Sequence, residues 1–177
     1  MTKVTADEIS FFMPYIYKVS GIILDDSKAY LLESRLAGLL QEYACGSFMQ
    51  LYQKAVADRG KTVERKIIDA ISTNETLFFR DHSPFEMLRH KILPDLIDKK
   101  AAGAAGPIPI RIWSAACSTG QEAYSIGIVL KETLGDLKKY DIKLLGTDIS
   151  DAAVASASYG HYKQFEIERG LPKDKLA

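Results

Sequence analysis

The fold of this 177-residue chain depends on residues 112–122, which read IWSAACSTGQE. An apolar strand at residues 110–113 is followed by a loop of small residues and then by a helix that starts at Glu122. A second apolar strand at residues 143–147 follows this helix and ends at Asp148. Strand, helix and strand in this order predict a parallel βαβ unit with a ligand site at the carboxyl ends of its strands.

The loop between the first strand and the helix lets a ligand approach the backbone closely, although it is not a GxGxxG motif. Asp148, at the end of the second strand, can accept hydrogen bonds from both hydroxyls of a ribose. Its spacing from Gly120 is longer than the roughly 20 residues usual in dinucleotide sites. Glu122 in the first helical turn would repel a pyrophosphate and attract a cation. These charges favour S-adenosylmethionine, with its ammonium and sulfonium groups, over NAD.

Structural explanations for the same residues stay open at this point. Thr119 and Glu122 have the spacing of a capping box, and Asp148 could cap the helix that follows it. Ser118 and Cys117 are rejected as nucleophiles, because no GxSxG turn is present and no histidine occupies an obvious supporting position.

The first seventy residues predict four short amphipathic helices joined by tight turns, which is typical of a small helical bundle. The predicted boundaries are a Thr5–Glu8 capping box and Gly21 for the first helix, a cap at Asp26 or Ser27 for the second, Gly46 and Ser47 through about Asp58 for the third, and residues 62–72 for the fourth.

The middle of the chain predicts another helix and then a connector. Ser83 as cap, Pro84 at the first helical position and Glu86 at the third mark a helix start. Pro94 lies inside this helix and is expected to kink or end it. Residues 99–109, rich in Ala and Gly, predict a flexible connector before the first strand.

The composition excludes several classes of protein. Lys plus Arg and Asp plus Glu both number 23, so the chain has no overall attraction for nucleic acid. The three histidines and two cysteines lack ligand spacing, so no metal site is expected. No apolar run reaches the roughly 18 residues of a membrane span, and the first residues lack a signal core. We therefore expect a cytoplasmic protein without membrane insertion.

Three motifs give the sequence a family resemblance. Residues 72–80 (STNETLFFR), 113–125 (WSAACSTGQEAYS) and 146–150 (GTDIS) closely resemble the chemotaxis receptor methyltransferases, the CheR family. The resemblance implies a small all-α helical bundle at residues 1–73 that contacts the receptor. It also implies a Rossmann-like α/β methyltransferase domain at residues 74–177. The implied reaction is S-adenosylmethionine-dependent O-methylation of glutamate side chains on the cytoplasmic domain of methyl-accepting chemotaxis receptors, with S-adenosylhomocysteine as product.

The resemblance also implies roles for individual residues. Asn74, Thr76 and Arg80 are expected to line the cofactor pocket, Glu122 to meet the methionine moiety and Asp148 to hold the ribose. Arg80 is also the expected catalytic residue, because a guanidinium can dock the substrate carboxylate in a bidentate fork and aim it at the methyl group. No general base is needed, because a glutamate side chain with a pKa of about 4.3 is already an anion at neutral pH.

Receptor contact is expected from basic residues on the second helix. Arg35 matches the family pattern, and Lys28 offers a second positive charge. Acidic residues on the same helix, among them Glu33 and Glu42, weaken this basic face.

The sequence departs from the family at its end, where members continue with more strands and a β-subdomain. We therefore expect only the N-terminal portion of the methyltransferase domain to be present, with little or no catalysis by this chain. A sheet of two parallel strands leaves faces uncovered, so self-association is also expected. The alternative is a non-catalytic receptor-interaction or signalling module derived from such an enzyme. A nucleotide-dependent oxidoreductase is disfavoured by Glu122.

Overall fold

A computed structural model describes residues 3–103 and 106–176, which form two compact units. The first unit comprises the residues up to Thr73 together with Ile149–Asp151. The second comprises Asn74–Asp148 and the residues from Ala152 onward.

The first unit is built around a helical bundle, as predicted. Its apolar side chains meet in one core, in which Phe12, Leu32, Phe48 and Ile67 are fully buried. The helices are α1 (Ala6–Ser20), α2 (Ala29–Glu42), α3 (Phe48–Ala57) and α4 (Thr62–Ile71), with a 3-10 turn at Asp26–Lys28.

The capping box at the start of α1 also fixes α3. The N–H of Thr5 donates to Glu8 Oε2 at 2.9 Å, and the N–H of Glu8 donates back to Thr5 Oγ1 at 3.3 Å. Glu8 Oε1 accepts the N–H of Met49 at 2.9 Å in the first turn of α3. Burial raises the pKa of Glu8, but hydrogen bonds from the Thr5 and Met49 amides outweigh it and lower the pKa. One carboxylate therefore stabilises the starts of two helices.

The other helix ends agree with the sequence except at α2. Gly21 ends α1 with φ of 73°, and Ser47 caps α3 by accepting the N–H of Gln50 at 3.2 Å. The predicted Ser27 cap is wrong, because α2 begins at Ala29 without a side-chain cap. The Ser27 hydroxyl instead donates to the Asp25 carboxylate within the preceding turn. The side chain of Asp26 lies outside the described part of the chain.

The second unit opens with a helix that passes Pro94 without ending. It consists of α5 (Ser83–Met87), a π-helical turn (Leu88–Ile92) and α6 (Leu93–Ala101). The N–H of Leu93 donates to the carbonyl of Leu88, five residues back. This wider turn accommodates the missing N–H of Pro94, so the helix does not end there, which was one of the two predicted outcomes. The predicted Ser83 cap is also wrong, because Ser83 is the first helical residue.

The predicted connector at 99–109 is shorter in the structure. Residues 99–101 belong to α6, and the next strand already begins at Ile108. Residues 104 and 105 lie outside the described residues.

The predicted βαβ unit is confirmed. Strand β1 (Ile108–Ala115) pairs in parallel with β2 (Tyr140–Thr147), and α7 (Gln121–Leu134) connects them. A 3-10 turn at Leu137–Lys139 precedes β2. Both strands are longer than predicted. Ile110 of β1 and Val129 of α7 are fully buried in a core that also contains Phe85 and Leu93.

The opposite face of the β1–β2 pair carries large exposed side chains. Trp113 is 68% exposed and Leu145 is 59% exposed, and these two residues are register partners. Arg111 forms an ion pair with Asp141 on the same face. After β2 the chain forms α8 (Asp151–Tyr159), α9 (Gln164–Glu168) and a 3-10 turn at Lys173–Lys175.

Ser125 of α7 links this helix to the segment before α5. Its side chain is fully buried, accepts the N–H of Phe79 at 3.0 Å and donates to the Gln121 carbonyl at 2.7 Å. Phe79 has φ of 50°, a left-handed conformation that is uncommon for residues other than glycine. The hydroxyl of Ser125 thus holds a strained backbone in place.

We expect Ser125→Ala to lower the free energy of unfolding by about 1–3 kcal/mol, because it leaves the N–H of Phe79 without its acceptor. Urea denaturation of both proteins measures the difference. Ser156→Ala, at an exposed position on α8 in the same unit, is the control and should change stability by no more than about 0.5 kcal/mol. Equal stabilities of Ser125→Ala and Ser156→Ala would contradict the assigned role.

Candidate cofactor site

The turn that connects β1 to α7 has an unusual backbone. Ala116, Ser118 and Gly120 all have positive φ, at 58°, 50° and 98°. Only glycine adopts such angles without strain, so the two other residues need support from their surroundings. Gly120 is also closely packed, because a Cβ atom there would lie 2.9 Å from both Ala157 Cβ and the Tyr162 hydroxyl.

Hydrogen bonds that the amides of the turn donate provide this support. The N–H of Ser118 donates to Asp148 Oδ2 at 2.8 Å. The N–H of Cys117 donates to the Thr147 carbonyl at 2.9 Å, and that of Gly120 donates to the Cys117 carbonyl at 2.9 Å. In a dinucleotide site the amides of this turn and helix start bind a pyrophosphate. Here three of them already have protein acceptors, which disfavours a pyrophosphate ligand.

Glu122 is exposed in the first turn of α7, and its Oε1 accepts a hydrogen bond from the buried Ser114 hydroxyl at 2.7 Å. The capping-box alternative is wrong, because the Thr119 hydroxyl donates to the side chain of Gln121 at 2.7 Å. Helix α7 begins after Gly120 without a side-chain cap. The Glu122 carboxylate is therefore oriented from the strand and not from the helix cap.

Arg80 and Glu122, both predicted cofactor residues, line one open cavity of about 330 Å³. Phe85, Ile112 and Ile126 form part of its apolar wall. The Arg80 side chain is 60% exposed, and its Nη1 donates to the Glu75 carbonyl at 3.1 Å. The cavity thus places a cation and an anion beside an apolar surface at the carboxyl end of β1.

Asn74 and Thr76, the two other predicted pocket residues of the same segment, line a different cavity of about 200 Å³. Thr119 and Gln121 line it as well. The Ser118 hydroxyl donates to the Asn74 carbonyl at 2.8 Å, so this segment is attached to the turn. The predicted site residues therefore surround one turn but line two cavities: Arg80 and Glu122 line one, and Asn74 and Thr76 line the other. Asp148 accepts a hydrogen bond from the turn itself.

Neither Cys117 nor Ser118 is arranged as a nucleophile. Burial, and then the nearby Asp148 carboxylate, raise the pKa of the Cys117 thiol, so it is protonated at neutral pH. The Ser118 hydroxyl donates to a backbone carbonyl. Both residues therefore stabilise the turn by hydrogen bonds.

The side chains around the turn fit a cationic nucleoside. Two carboxylates, Glu122 and Asp148, flank a turn in which three amides have protein acceptors, and an apolar wall lies beside Glu122. Carboxylates suit an ammonium, a sulfonium and ribose hydroxyls. The sequence did not identify Ser114 and Ser118, which bond the two carboxylates, or Tyr162, which bonds the Thr119 carbonyl in the turn. The small-residue pattern of the turn was the one signal that pointed to Ser118.

The predicted receptor-binding residues lie in the first unit. Arg35 is half-buried, and its guanidinium donates to the carbonyls of Ile71 and Ser72, the latter at 3.3 Å, and to Thr73 Oγ1 at 3.1 Å. Lys28 lies in the turn before α2, with its Nζ 3.5 Å from Asp25 Oδ2. Arg35 therefore stabilises the end of α4, while Lys28 is more accessible.

In the part of the chain that the structure describes, no group of three or more His, Cys, Asp or Glu side chains is placed to hold a metal ion. Within residues 3–103 and 106–176, no helix combines the length and apolar character needed to cross a membrane.

Comparison with known proteins matches two family models to consecutive parts of the chain. Residues 7–72 match the CheR methyltransferase all-alpha domain, and residues 74–177 match the CheR methyltransferase SAM binding domain. The family model therefore indicates S-adenosyl-L-methionine as the cofactor of this domain.

The curated relatives are named chemotaxis protein methyltransferases. The chain is 38% identical to chemotaxis protein methyltransferase 1 of Pseudomonas aeruginosa, over 99% of this chain and 63% of the relative. It is 36% identical to chemotaxis protein methyltransferase Cher2 of Pseudomonas putida (93% and 59%) and 37% identical to the chemotaxis protein methyltransferase of Borreliella burgdorferi (97% and 60%). The chain thus spans about three fifths of the length of these relatives, and by its two matched domains it belongs to the CheR methyltransferase family.

Proposed function

We propose that this chain is part of a cytoplasmic protein-glutamate O-methyltransferase that acts on chemotaxis receptors with S-adenosyl-L-methionine as methyl donor. The observation that carries the proposal is the pair of carboxylates, Glu122 and Asp148, at a turn in which three amides are bonded within the protein. The names of the relatives support the choice of substrate.

The residues of the site have separate tasks in this proposal. S-adenosyl-L-methionine, when bound, supplies an electrophilic methyl group on a cationic sulfur. Glu122 offers a negative charge to the methionine moiety, and Asp148 offers acceptors to the ribose. Arg80 docks the receptor's glutamate carboxylate, which needs no base because it is ionised at neutral pH. Asn74 and Thr76 line the smaller neighbouring cavity, on the segment that Ser118 attaches to the turn, and contribute to the cofactor site from there.

Receptor contact is assigned to the first unit, through the face that carries Lys28 and Arg35. Lys28 supplies the accessible charge for an acidic receptor surface. The guanidinium of Arg35 donates to three acceptors at the end of α4. A receptor carboxylate would compete with these acceptors for the guanidinium.

Cofactor binding can be measured by titrating the chain with S-adenosylhomocysteine in a calorimeter. We expect Glu122→Gln and Asp148→Asn each to weaken binding by about tenfold or more, because each removes a charged hydrogen-bond acceptor. Asp98→Asn, at an exposed site on α6, is the matched control and should bind like the unmodified chain. Binding of NAD in preference to S-adenosylhomocysteine, or equal affinity of all variants, would refute the proposed site.

The 177-residue chain by itself is expected to transfer little or no methyl group. Arg80 is 60% exposed and its cavity is open, so water would surround a carboxylate that docks there. The measurement is transfer of labelled methyl from the donor to a receptor cytoplasmic domain. The Pseudomonas aeruginosa relative serves as positive control. Turnover comparable to that of the relative would contradict the expectation, whereas receptor binding without turnover would fit a non-catalytic interaction module.

We also expect the chain to self-associate through the exposed β1–β2 face. Parallel strands are normally covered on both faces, and a second copy would remove Trp113 and Leu145 from water. Sedimentation velocity at rising concentration should show a dimer that Leu145→Lys weakens. Leu137→Lys, at an exposed residue outside the strands, is the control. A monomer at all concentrations would rule out this association.

A further inference from the structure

Tyr162 lies between α8 and α9 and contacts both segments that form the candidate site. Its hydroxyl donates to the Thr119 carbonyl at 2.7 Å, inside the β1–α7 turn. Its ring packs edge-on against Phe78, with centroids 5.0 Å apart, and against Tyr124 at 5.7 Å. One half-buried side chain therefore joins the turn to the segment at residues 74–80.

The fit around the hydroxyl is close. The Thr119 carbonyl belongs to the same peptide group as the N–H of Gly120, where φ is 98°. A Cβ atom on Gly120 would come within 2.9 Å of the Tyr162 hydroxyl. Burial, and then the neighbouring Tyr124, raise the pKa of Tyr162 to about 12, so the hydroxyl remains a donor throughout the neutral range.

The residues that follow Tyr162 also contact the segment at residues 74–80. A Cβ atom on Gly170 would lie 2.1 Å from the Phe78 carbonyl oxygen, so the two backbones are in direct contact. Arg169 Nη2 forms an ion pair with Glu75 Oε1 at 3.1 Å. This ion pair is exposed and contributes little by itself, but it adds a second contact between the residues after Tyr162 and the segment at residues 74–80.

We propose that Tyr162 is a positioning residue for the cofactor site, holding the Thr119–Gly120 peptide and the Phe78 ring in fixed relation to each other. The inference rests on the proposed function, because it assigns a further determinant of cofactor affinity. Ser118 and Ser125 bond the segment at residues 74–80 to the turn and to α7, and Tyr162 adds a contact from the stretch between α8 and α9.

Tyr124 provides a matched comparison in the same aromatic cluster. Its hydroxyl donates to the Ala157 carbonyl at 3.0 Å, so it ties α7 to α8 and not to the turn. Removing either hydroxyl deletes one hydrogen bond from a tyrosine to a backbone carbonyl. A purely structural role for Tyr162 therefore predicts that Tyr162→Phe and Tyr124→Phe behave alike.

The experiment titrates the full chain and both variants with S-adenosylhomocysteine, at a temperature where circular dichroism shows all three to be folded. We expect Tyr162→Phe to weaken binding about three- to tenfold, the effect of one lost hydrogen bond on a preorganised turn. Tyr124→Phe should stay within about twofold of the unmodified chain. Unchanged affinity for Tyr162→Phe, or equal losses for both variants, would overturn the positioning role.

Hydrogen exchange without ligand separates this inference from the proposed function. Tyr162→Phe should accelerate amide exchange at Gly120 and Gln121 more than Tyr124→Phe does, whether or not any nucleoside binds. If the unmodified chain fails to bind S-adenosylhomocysteine, the proposed function fails and this role in cofactor affinity fails with it. If it binds and exchange in the turn is the same in both variants, the proposed function stands and the role of Tyr162 is refuted.

Discussion

The hydrogen bond from the Ser118 amide to the Asp148 carboxylate joins the ends of the two parallel strands, and the candidate site depends on it. After β1 the chain must turn sharply into α7, and it does so with left-handed residues at Ala116 and Ser118. Each such residue costs of order 1 kcal/mol or more, which bonds to the turn offset. Because Asp148 ends the neighbouring strand, the parallel register also determines the shape of the turn.

A second constraint is that the segment at residues 74–80 reaches the turn from a distant part of the sequence. Small hydroxyl side chains make the attachment: Ser118 donates to the Asn74 carbonyl, and Ser125 accepts the N–H of Phe79. A larger residue at either position would separate the two backbones. The segment at residues 74–80 is therefore held to the turn and to α7 by two serine side chains.

Local patterns made much of this fold predictable, and long-range contacts explain what was missed. The ends of α1, the Ser47 cap and the βαβ order follow from neighbouring residues, so the sequence predicted them. The passage through Pro94 depends on a π-helical turn, which no local rule indicates. Arg35 shows the same limit, because its partners at the end of α4 are distant in sequence and only folding brings them to it.

The internal bonding of the turn also bears on which ligand it suits. A site that presents unoccupied amides gains most from an anion such as a pyrophosphate. A turn in which three amides already have protein acceptors presents carboxylates instead, and these attract cations and hydroxyl groups. A carboxylate accepts as many as about four hydrogen bonds, so the bond from Ser118 to Asp148 is compatible with further donors from a ribose. The same bond orders Asp148 before a ligand arrives, which reduces the entropy cost of binding. The fold and the proposed chemistry thus use one acid for two purposes.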